Sequence, residues 1–375
     1  MVNTLKVTPV KGFWDRRAYL QFPWEIYRND PNWVPPLLCM QKGLLGFQKD
    51  AYYIRNQIQT FLARRNGKVV GTIAAIVNQG HLEIYNDNRG FFGFFECEDN
   101  QETANALFDT AREWLREKGL NRVRGPMNPS INHTMGLLVD GFHLPPRFMM
   151  TYNKPYYQKL IENYGFQKAQ DAYAFVGDLE MLPGIIGKYT RIADQIKERF
   201  GVKIRPLDTS RFDEEIRMFL DVFNRSNSNT WGYVPMSEAE LEQEAKGLKT
   251  LIVPDLAIFA EIDGKIVGSE LCIPDFNPAI RKIKGRLFPF GFMTLLNTKR
   301  HFNEIRSIST NVLPEYQMMG IPLLLLQAIL PAAEKWGINK AEFSWVLESN
   351  DYSRGSLEKA GTIPEKTYRI YDLGD

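Results

Sequence analysis

Residues 312–322 read Val-Leu-Pro-Glu-Tyr-Gln-Met-Met-Gly-Ile-Pro, and they join a strand predicted over 306–313 to an apolar helix predicted over 322–336. A strand that ends in a polar turn, with glycine at the start of the next helix, directs several backbone N–H groups toward one point. Such a point favours a diphosphate, because the helix dipole and the N–H donors both attract negative charge. Pro322 removes one donor, although proline is well tolerated in the first helical turn.

The chain repeats its own pattern. A predicted hairpin with an Asn-Gly turn in 61–71 recurs as a hairpin with an Asp-Gly turn in 258–268, and the two turn glycines are 197 residues apart (264 minus 67). The same spacing (350 minus 153) separates Asn153 from Asn350, each of which follows a strand-like run and precedes a predicted helix. Two agreements at one spacing indicate an internal duplication.

Between these anchors the two halves follow the same order of predicted elements. The first half gives a strand, an amphipathic helix, a strand and a closing strand at 91–96, 101–118, 121–125 and 171–176. The second half gives the corresponding elements at 306–313, 322–336, 340–347 and 367–372. This order predicts two tandem units that are built from the same succession of strands and helices.

These features resemble the GNAT acyl-CoA N-acyltransferase superfamily. Gln317-x-x-Gly320-x is similar to the GNAT pyrophosphate loop, Arg/Gln-x-x-Gly-x-Gly/Ala, with Pro322 at the last position. Segments 22–37 and 124–142 resemble uncharacterised bacterial tandem GNAT proteins, and large aromatic residues in the first segment could equally be a hydrophobic anchor. The resemblance covers nearly the whole chain as a tandem pair. It implies the α+β class, with two GNAT-like units that each hold a mixed, mostly antiparallel sheet flanked by helices.

The two halves differ at the junction where the cofactor loop would lie. In the first half, residues 96–102 read Glu-Cys-Glu-Asp-Asn-Gln-Glu, which would repel a diphosphate and could simply cap the helix. We therefore expect 1–176 to be a GNAT-like unit that lacks the pyrophosphate loop and 177–201 to be a connecting helix. We expect 202–375 to be a GNAT-like unit with the candidate acyl-CoA site.

The resemblance implies a set of cofactor-binding residues in the second half. These are Val312, Leu313, Gln317, Met318, Met319, Gly320, Ile321 and Asn350. Unpaired backbone groups near Val312 and Leu313 would bind the pantetheine arm, and the amides of 318–321 would bind the diphosphate. Asn350 would meet the pantetheine from the opposite side, or cap the following helix, or do both.

Catalytic residues are less clearly implied. Many GNAT enzymes carry a tyrosine four residues before the glycine that closes the fourth helix, but here Leu357 precedes Gly361 at that spacing. Amide formation also needs a base and an acid. Glu315 is a candidate base or a solvated carboxylate, and Tyr352 and Tyr368 are candidate acids or packing residues.

An insertion in the second half suggests the kind of substrate. Residues 281–286 carry four cations and precede an apolar segment, 287–296, which is rich in Phe. The combination predicts either a lid over an acyl-chain tunnel or peripheral contact with an anionic membrane. The alternative is a loop that packs on the first unit while its charges stay solvated.

Composition sets the remaining expectations for this 375-residue chain. Lys plus Arg (46) nearly equals Asp plus Glu (44), so no global field attracts nucleic acid. The 3 cysteines and 4 histidines lack metal-ligand spacing, so we expect no metal. With no signal-peptide pattern and no apolar run long enough for a transmembrane segment, we expect a cytoplasmic protein.

Three functions follow as hypotheses. The first is transfer of an acyl group from acetyl-CoA or another acyl-CoA to a primary amine of a small-molecule acceptor. The second is a non-catalytic, degenerate tandem GNAT protein that binds CoA or a protein partner, which Leu357 and Pro322 favour. The third is long-chain acyl transfer to a lipid-like amine, which the Phe-rich insertion favours.

Overall fold

The computed structural model describes residues 4–178, 182–298 and 301–374 of the chain. Its α-helices, numbered α1 to α12, are Gly12–Ile26, Leu38–Leu44, Gln79–Tyr85, Gln101–Arg116, Tyr157–Tyr164, Leu182–Phe200, Phe212–Ser226, Glu238–Leu251, Asn277–Lys282, Gly291–Thr298, Ile321–Trp336 and Asp351–Lys359. Its strands, numbered β1 to β15, are Leu5–Pro9, Gln57–Arg65, Lys68–Val77, Arg89–Cys97, Arg122–Gly125, Met127–Asn128, Thr134–Met135, Leu137–Asp140, Gln167–Asp178, Lys203–Pro206, Ala257–Ile262, Lys265–Pro274, Glu304–Val312, Lys340–Leu347 and Ile363–Leu373. Short 3-10 helices span Ala51–Ile54, Thr209–Arg211, Pro254–Leu256 and Pro314–Met319. The predicted class, mostly antiparallel sheet flanked by helices, is confirmed.

The chain divides into two compact units, and each is built from several segments. The first unit contains the chain up to Ala172, the segment Asn277–Phe292 and the C-terminal residues from Lys366. The second unit contains Tyr173–Phe276 and Met293–Glu365. The domain boundaries 1–176, 177–201 and 202–375 stay a prediction.

In the first unit, the strand order is β1-β2-β3-β4-β5-β15-β9. The β2–β3 hairpin turns at Asn66 and Gly67, whose φ angles of 51° and 82° are typical of a type I′ turn. The N-terminal end of β4 runs parallel to β5, from Arg89 opposite Arg122 to Phe91 opposite Arg124. Helix α4 buries its apolar side against this sheet.

In the second unit, the strand order is β9-β14-β13-β12-β11-β10. The β11–β12 hairpin turns at Asp263 and Gly264, with φ angles of 50° and 76°, so it repeats the turn of the first hairpin. Successive residues of β11 point to opposite faces. Ile258 packs on the side that α11 covers, and Phe259 packs on the side that α7 covers.

The strand that closes each sheet comes from the other half of the sequence. In the first unit, β15 pairs with β5, with Tyr371 opposite Gly125. In the second unit, the C-terminal part of β9 follows β14 in the sheet order, and a Cβ on Gly177 would lie 3.7 Å from the Phe343 ring. The two closing strands predicted at 171–176 and 367–372 therefore exist, but each lies chiefly in the unit that the other half builds.

Candidate functional site

In the second unit, β13 and β14 separate partway along their length. Their parallel pairing runs from Glu304 opposite Lys340 to Ser307 opposite Phe343. Strand β13 continues beyond this point to Val312, and Thr310 on the continued part is exposed to solvent. A strand edge that becomes exposed in this way offers backbone hydrogen-bonding groups to an extended ligand. We call this space the open gap.

The backbone of Val312 is directed toward the open gap. Leu313 N–H donates to the Val267 carbonyl of β12 at 2.9 Å. Because hydrogen bonding alternates along an antiparallel pair, Val312 on the neighbouring position points its N–H and C=O away from β12. Gln317 reaches back to this carbonyl, with its Nε2 3.2 Å from the Val312 oxygen.

The expectation that Leu313 has unpaired backbone groups is wrong. Its N–H bonds β12, and its carbonyl accepts a hydrogen bond from Tyr316 N–H at 2.8 Å. The reason is that pairing with β12 extends one residue beyond β13, and the 3-10 turn then begins at Pro314. The Leu313 side chain is fully buried in the second unit.

The predicted strand-to-helix loop is present at the end of the open gap. The 3-10 helix Pro314–Met319 leads to Gly320, and α11 starts at Ile321. Gly320 has a φ of 75°, which favours glycine, and a Cβ there would lie 2.6 Å from Cδ1 of Ile196 and would have to displace it. Met318 projects into solvent with 89% of its surface exposed. Diphosphate binding by the amides of 318–321 stays a prediction.

Two cations lie near this loop, and the sequence analysis did not find them. Glu315 Oε1 is 3.5 Å from Arg225 Nη2 and 3.9 Å from Lys265 Nζ. Lys265 also lies over the Tyr316 ring, 5.8 Å from its centroid. The two cations come from an earlier helix and an earlier hairpin, so the sequence near the loop does not predict their position. Glu315 stays a candidate base in an ion-paired, partly exposed position.

The other candidate residues take different positions. Asn350 Oδ1 accepts a hydrogen bond from Ser353 N–H at 3.0 Å, so Asn350 caps α12. Tyr352 is an exposed residue of the same helix, and Leu357 packs against the core of the second unit. Tyr368 is fully buried in β15 within the first unit. Catalytic roles for Tyr352 and Tyr368 stay predictions.

In the first unit, the equivalent separation of strands is filled by the chain itself. The parallel pairing of β4 with β5 ends at Phe91 opposite Arg124. Beyond it, Asn128 Oδ1 accepts a hydrogen bond from Phe94 N–H at 2.6 Å. A Cβ on Gly93 would lie 1.7 Å from the Met127 carbonyl oxygen, so this approach requires glycine. We call this region the filled gap.

Tyrosine hydroxyls form hydrogen bonds with the backbone groups at the end of β4. Cys97 N–H donates to Tyr157 Oη at 2.9 Å, and Tyr156 Oη donates to the Cys97 carbonyl at 2.7 Å. Tyr19 Oη donates to the Phe94 carbonyl at 3.3 Å. These groups are therefore already paired within the unit.

Glu96 is a functional candidate that the sequence analysis missed. The hydroxyls of Tyr27 and Tyr157 each donate to Glu96 Oε2 at 2.8 Å. Burial raises the pKa of Glu96 to about 7, although the two tyrosine hydrogen bonds and Lys154 act to lower it. Both tyrosines are distant from Glu96 in the sequence, so no motif links them.

Asn311 takes the position of Glu96 in the second unit. Cys97 lies opposite Gly71, and Val312 lies opposite Gly268, with the repeat spacing between the two glycines. The Oδ1 atom of Asn311 accepts hydrogen bonds from Ser226 Oγ at 3.2 Å and Asn227 Nδ2 at 3.3 Å. An amide in the open-gap unit thus replaces a carboxyl group in the filled-gap unit.

Helix capping uses the polar groups at the end of the filled gap. Asn100 Oδ1 accepts a hydrogen bond from Thr103 N–H at 3.1 Å and caps α4. Glu98 accepts from Thr103 Oγ1 at 2.7 Å and lies 3.4 Å from Arg65 Nε. The capping alternative therefore describes this junction.

The first unit also contains an open pocket of about 380 Å³. Asp30 lies in its wall, where it pairs with Lys154 Nζ at 2.9 Å and accepts from Tyr152 Oη at 3.0 Å. Lys154 also lies 4.9 Å from the centroid of the Tyr27 ring. The pocket wall is thus connected to the Glu96 network through one aromatic ring.

The described residues contain neither a candidate metal site nor a candidate membrane-spanning helix. Within 4–178, 182–298 and 301–374, no group of three or more His, Cys, Asp or Glu residues could hold a metal ion. Across the same ranges, no α-helix combines the length and apolar character needed to span a bilayer.

Comparison with known proteins identifies the family. No protein-family model matches the sequence. The chain is 34% identical to the bacterial ceramide synthase of Caulobacter vibrioides, over 98% of this chain and 97% of that protein. It is 33% identical to protein YghO of Escherichia coli, over 96% of this chain and 92% of YghO.

Solved structures show the same architecture. A tandem GNAT protein from the clavulanic acid biosynthesis pathway superposes with a TM-score of 0.57 at 12% identity, covering 99% of this chain and 98% of its own. The chain belongs to the same family as the bacterial ceramide synthase and YghO, and its fold is that of tandem GNAT proteins. A GCN5-related N-acetyltransferase from Sphaerobacter thermophilus has the same fold, with a TM-score of 0.54 at 12% identity, covering 98% of this chain and 95% of its own. The predicted resemblance is confirmed, and the fold is one that N-acyltransferases use.

Proposed function

We propose that this tandem GNAT protein is an acyl-CoA-dependent N-acyltransferase whose acyl-CoA site is the open gap. The observation that carries the proposal is that β13 stops pairing with β14 at Ser307. Beyond this point, β13 leads to the turn in which Gly320 precedes α11. The pantetheine arm would add to this edge through Val312 N–H. When bound, acyl-CoA would supply a thioester whose C–S bond breaks as the amide C–N bond forms, while the amine's proton passes to a base or to water.

The loop at the end of the open gap supports a diphosphate position. The amides of 318–321 lie at the N-terminus of α11, where the helix dipole favours an anion. Arg225 and Lys265 add positive charge near the same turn, since both are drawn there by Glu315. The corresponding part of the filled gap has acidic side chains and paired backbone groups, so we assign one acyl-CoA site to the chain.

We further propose that the acceptor is a long-chain, lipid-like primary amine and that the donor carries a long acyl chain. The support is the ceramide synthase of Caulobacter vibrioides, which matches nearly the full length of this chain. A ceramide is the amide of a fatty acid and a long-chain amino alcohol. Reactions of that class join an acyl thioester to an amine, which is the chemistry that GNAT folds perform.

The binding part of the proposal can be tested at Met318. Its exposure allows substitution without loss of packing, whereas Gly320→Glu would clash with Ile196 and strain the turn. Met318→Glu should weaken CoA binding about tenfold or more in calorimetric titration, because a carboxylate would face the diphosphate. Met318→Gln is the neutral control and should bind like the native chain.

A control in the first unit completes this test. Gln101→Glu adds a negative charge at the N-terminus of α4, beside the filled gap. CoA affinity should not change in this variant. If Gln101→Glu weakens binding while Met318→Glu does not, the site has been assigned to the wrong unit.

The reaction itself needs a separate measurement. Full-length protein should form an amide from palmitoyl-CoA and sphinganine, detected by mass spectrometry, and should do so faster than from acetyl-CoA and a short amine. Amide formation only with the short pair would contradict the long-chain assignment but would retain the N-acyltransferase proposal.

A second candidate function is supported by one observation. Asn311 takes the place of Glu96, which is the acid–base group of the first unit. Leu357 lies where many GNAT enzymes carry a tyrosine. Neither of these two side chains can ionise. A non-catalytic acyl-CoA-binding protein would have the open gap without these groups. CoA binding that is sensitive to Met318→Glu, with no amide formed from any donor and acceptor pair, would favour this candidate.

A further inference from the structure

An exposed aromatic segment projects from the first unit. It belongs to the stretch Asn277–Phe292, which lies in the first unit although the flanking sequence builds the second. Phe288, Phe290 and Phe292 have exposed fractions of 86%, 73% and 46%. Three exposed phenylalanines within five consecutive residues form a concentrated apolar surface, which usually marks an interaction site. We call residues 281–292 the basic aromatic loop.

Cations precede these phenylalanines, and no acid accompanies them. Arg281, Lys282, Lys284 and Arg286 are all exposed, and the sequence contains no Asp or Glu between Asp275 and Glu304. Within the part of the chain that the structure describes, no carboxylate forms an ion pair with Lys282, Lys284 or Arg286. Their charges are therefore available to an external partner.

The base of the loop is held in place by the first unit. The Gly285 carbonyl accepts a hydrogen bond from Leu38 N–H at 3.0 Å, and Arg281 Nη2 donates to the Asn32 carbonyl at 3.2 Å. Asn277 Nδ2 donates to the Pro146 carbonyl at 2.7 Å. Gly285 fits so closely that a Cβ would lie 2.2 Å from the Pro36 oxygen. The phenylalanines are thus presented on an anchored support.

We propose that the basic aromatic loop docks the protein onto an anionic lipid bilayer. Phenylalanine side chains can enter the boundary between headgroups and acyl chains, while adjacent Lys and Arg side chains bind lipid phosphates. A second copy of this chain is a poor partner for the same surface, because each copy would present the same positive charges. The bilayer satisfies both features, since it is apolar inside and negatively charged at its surface.

The proposal does not depend on acyl transfer. The protein could bind a bilayer in this way and form no amide. It could also form the amide without binding a bilayer. If both proposals hold, docking would bring the protein to the phase in which lipid-like amines are dissolved.

Co-sedimentation of the full-length protein with vesicles tests the inference. Binding should occur with phosphatidylcholine vesicles that contain about a third phosphatidylglycerol and should weaken with added salt. Pure phosphatidylcholine vesicles should bind far less. Replacing all three phenylalanines (Phe288→Ser, Phe290→Ser, Phe292→Ser) should lower partitioning about tenfold or more. Each of Lys282→Gln, Lys284→Gln and Arg286→Gln should lower it roughly fivefold.

Matched variants separate docking from general exposure. Ile54→Ser with Ile84→Ser removes exposed apolar side chains elsewhere in the first unit, and Lys6→Gln with Lys68→Gln removes exposed charges. These controls should keep vesicle binding. The inference is overturned if the native chain does not bind anionic vesicles, if the loop variants bind like the native chain, or if the controls lose binding equally. It is also overturned if the phenylalanine variant changes only the oligomeric mass in light scattering.

Discussion

The open gap and the filled gap lie at corresponding points of two similar sheets, yet their backbone groups have different partners. In the filled gap, Phe94 N–H bonds the Asn128 side chain and Cys97 N–H bonds Tyr157. In the open gap, Val312 is turned toward the space beside β14, and Thr310 is exposed. The comparison teaches that a strand separation exposes backbone hydrogen-bonding groups only when the surrounding side chains do not bond them.

The residues at one equivalent position of the two gaps differ in whether they can ionise. Glu96 and Asn311 occupy equivalent places, but Glu96 is an ionisable group held by two tyrosines, while Asn311 is a neutral group held by Ser226 and Asn227. The first unit therefore keeps an acid–base group without an open edge. The second unit keeps the open edge without that group.

The largest effect on folding is expected when the chain is divided, since each half of the sequence supplies a strand to the sheet of the other half. Cutting after residue 176 removes β15 from β5 in the first unit and takes Tyr173–Val176 from the second. Each fragment would expose an unpaired strand edge, so neither should fold alone. NMR spectra of the separate and co-expressed fragments measure this. Dispersed spectra from either fragment by itself would contradict the expectation.

Gly93→Ala should be the most destabilising single substitution in this set. Its Cβ would overlap the Met127 carbonyl, and moving this backbone should cost about 3 kcal/mol or more in free energy of unfolding. Ser309 lies opposite Leu271 as Gly93 lies opposite Ala74, with the repeat spacing between these two partners. Ser309→Ala should cost only about 1 kcal/mol, for one hydrogen bond from Asn311. Denaturant midpoints provide the measurement, and equal losses would show that the two gaps do not differ in filling.

Glu96 should make the stability of the protein depend on pH. The folded pKa of about 7 lies above the ordinary 4.5, so the folded state binds the proton more tightly than the unfolded chain. This contribution to stability is complete below pH 4.5 and is lost as the pH rises through 7, by about 3 kcal/mol in total. Glu96→Gln should remove this slope in denaturation measured between those values. An unchanged slope would mean that Glu96 is not held as described.

The smallest effect is expected at Asn350, where capping and cofactor binding can be separated. Serine caps a helix about as well as asparagine, so Asn350→Ser should change stability by less than about 0.5 kcal/mol. Asn350→Ala should cost about 1 kcal/mol through loss of the cap. If Asn350 also contacts pantetheine, the serine variant should bind CoA more weakly at nearly native stability. Native affinity in this variant would leave Asn350 with the capping role alone.

Local patterns in the sequence predicted most of the elements near both gaps. The Asn-Gly and Asp-Gly turns have the positive φ values that their hairpins require. The strand predicted at 340–347 matches β14 at both ends, and the helix predicted at 322–336 differs from α11 by one residue. Strand β13 lies further toward the N-terminus than predicted, from Glu304 to Val312, because Pro314 starts the 3-10 turn. Turn chemistry and periodicity act over a few residues, so they can be read directly.

The sequence analysis missed features that depend on distant partners. It did not foresee that β15 would pair with β5, because strand pairing is chosen among edges far apart in the chain. The Glu96 network is hidden for the same reason, since Tyr27 directly follows α1 and Tyr157 begins α5. The cations Arg225 and Lys265 reach Glu315 from separate elements.

The sequence by itself determined the duplication, the two hairpins, the helix that follows Gly320 and the acidic character of the first junction. Each of these follows from residue types at short spacing, where backbone sterics and helix capping act. Only the tertiary structure decided which strand closes each sheet, which gap is filled and which backbone donors remain directed at an open edge. Those outcomes depend on long-range packing, in which a carbonyl at Met127 or a hydroxyl at Tyr157 occupies space that no local pattern assigns.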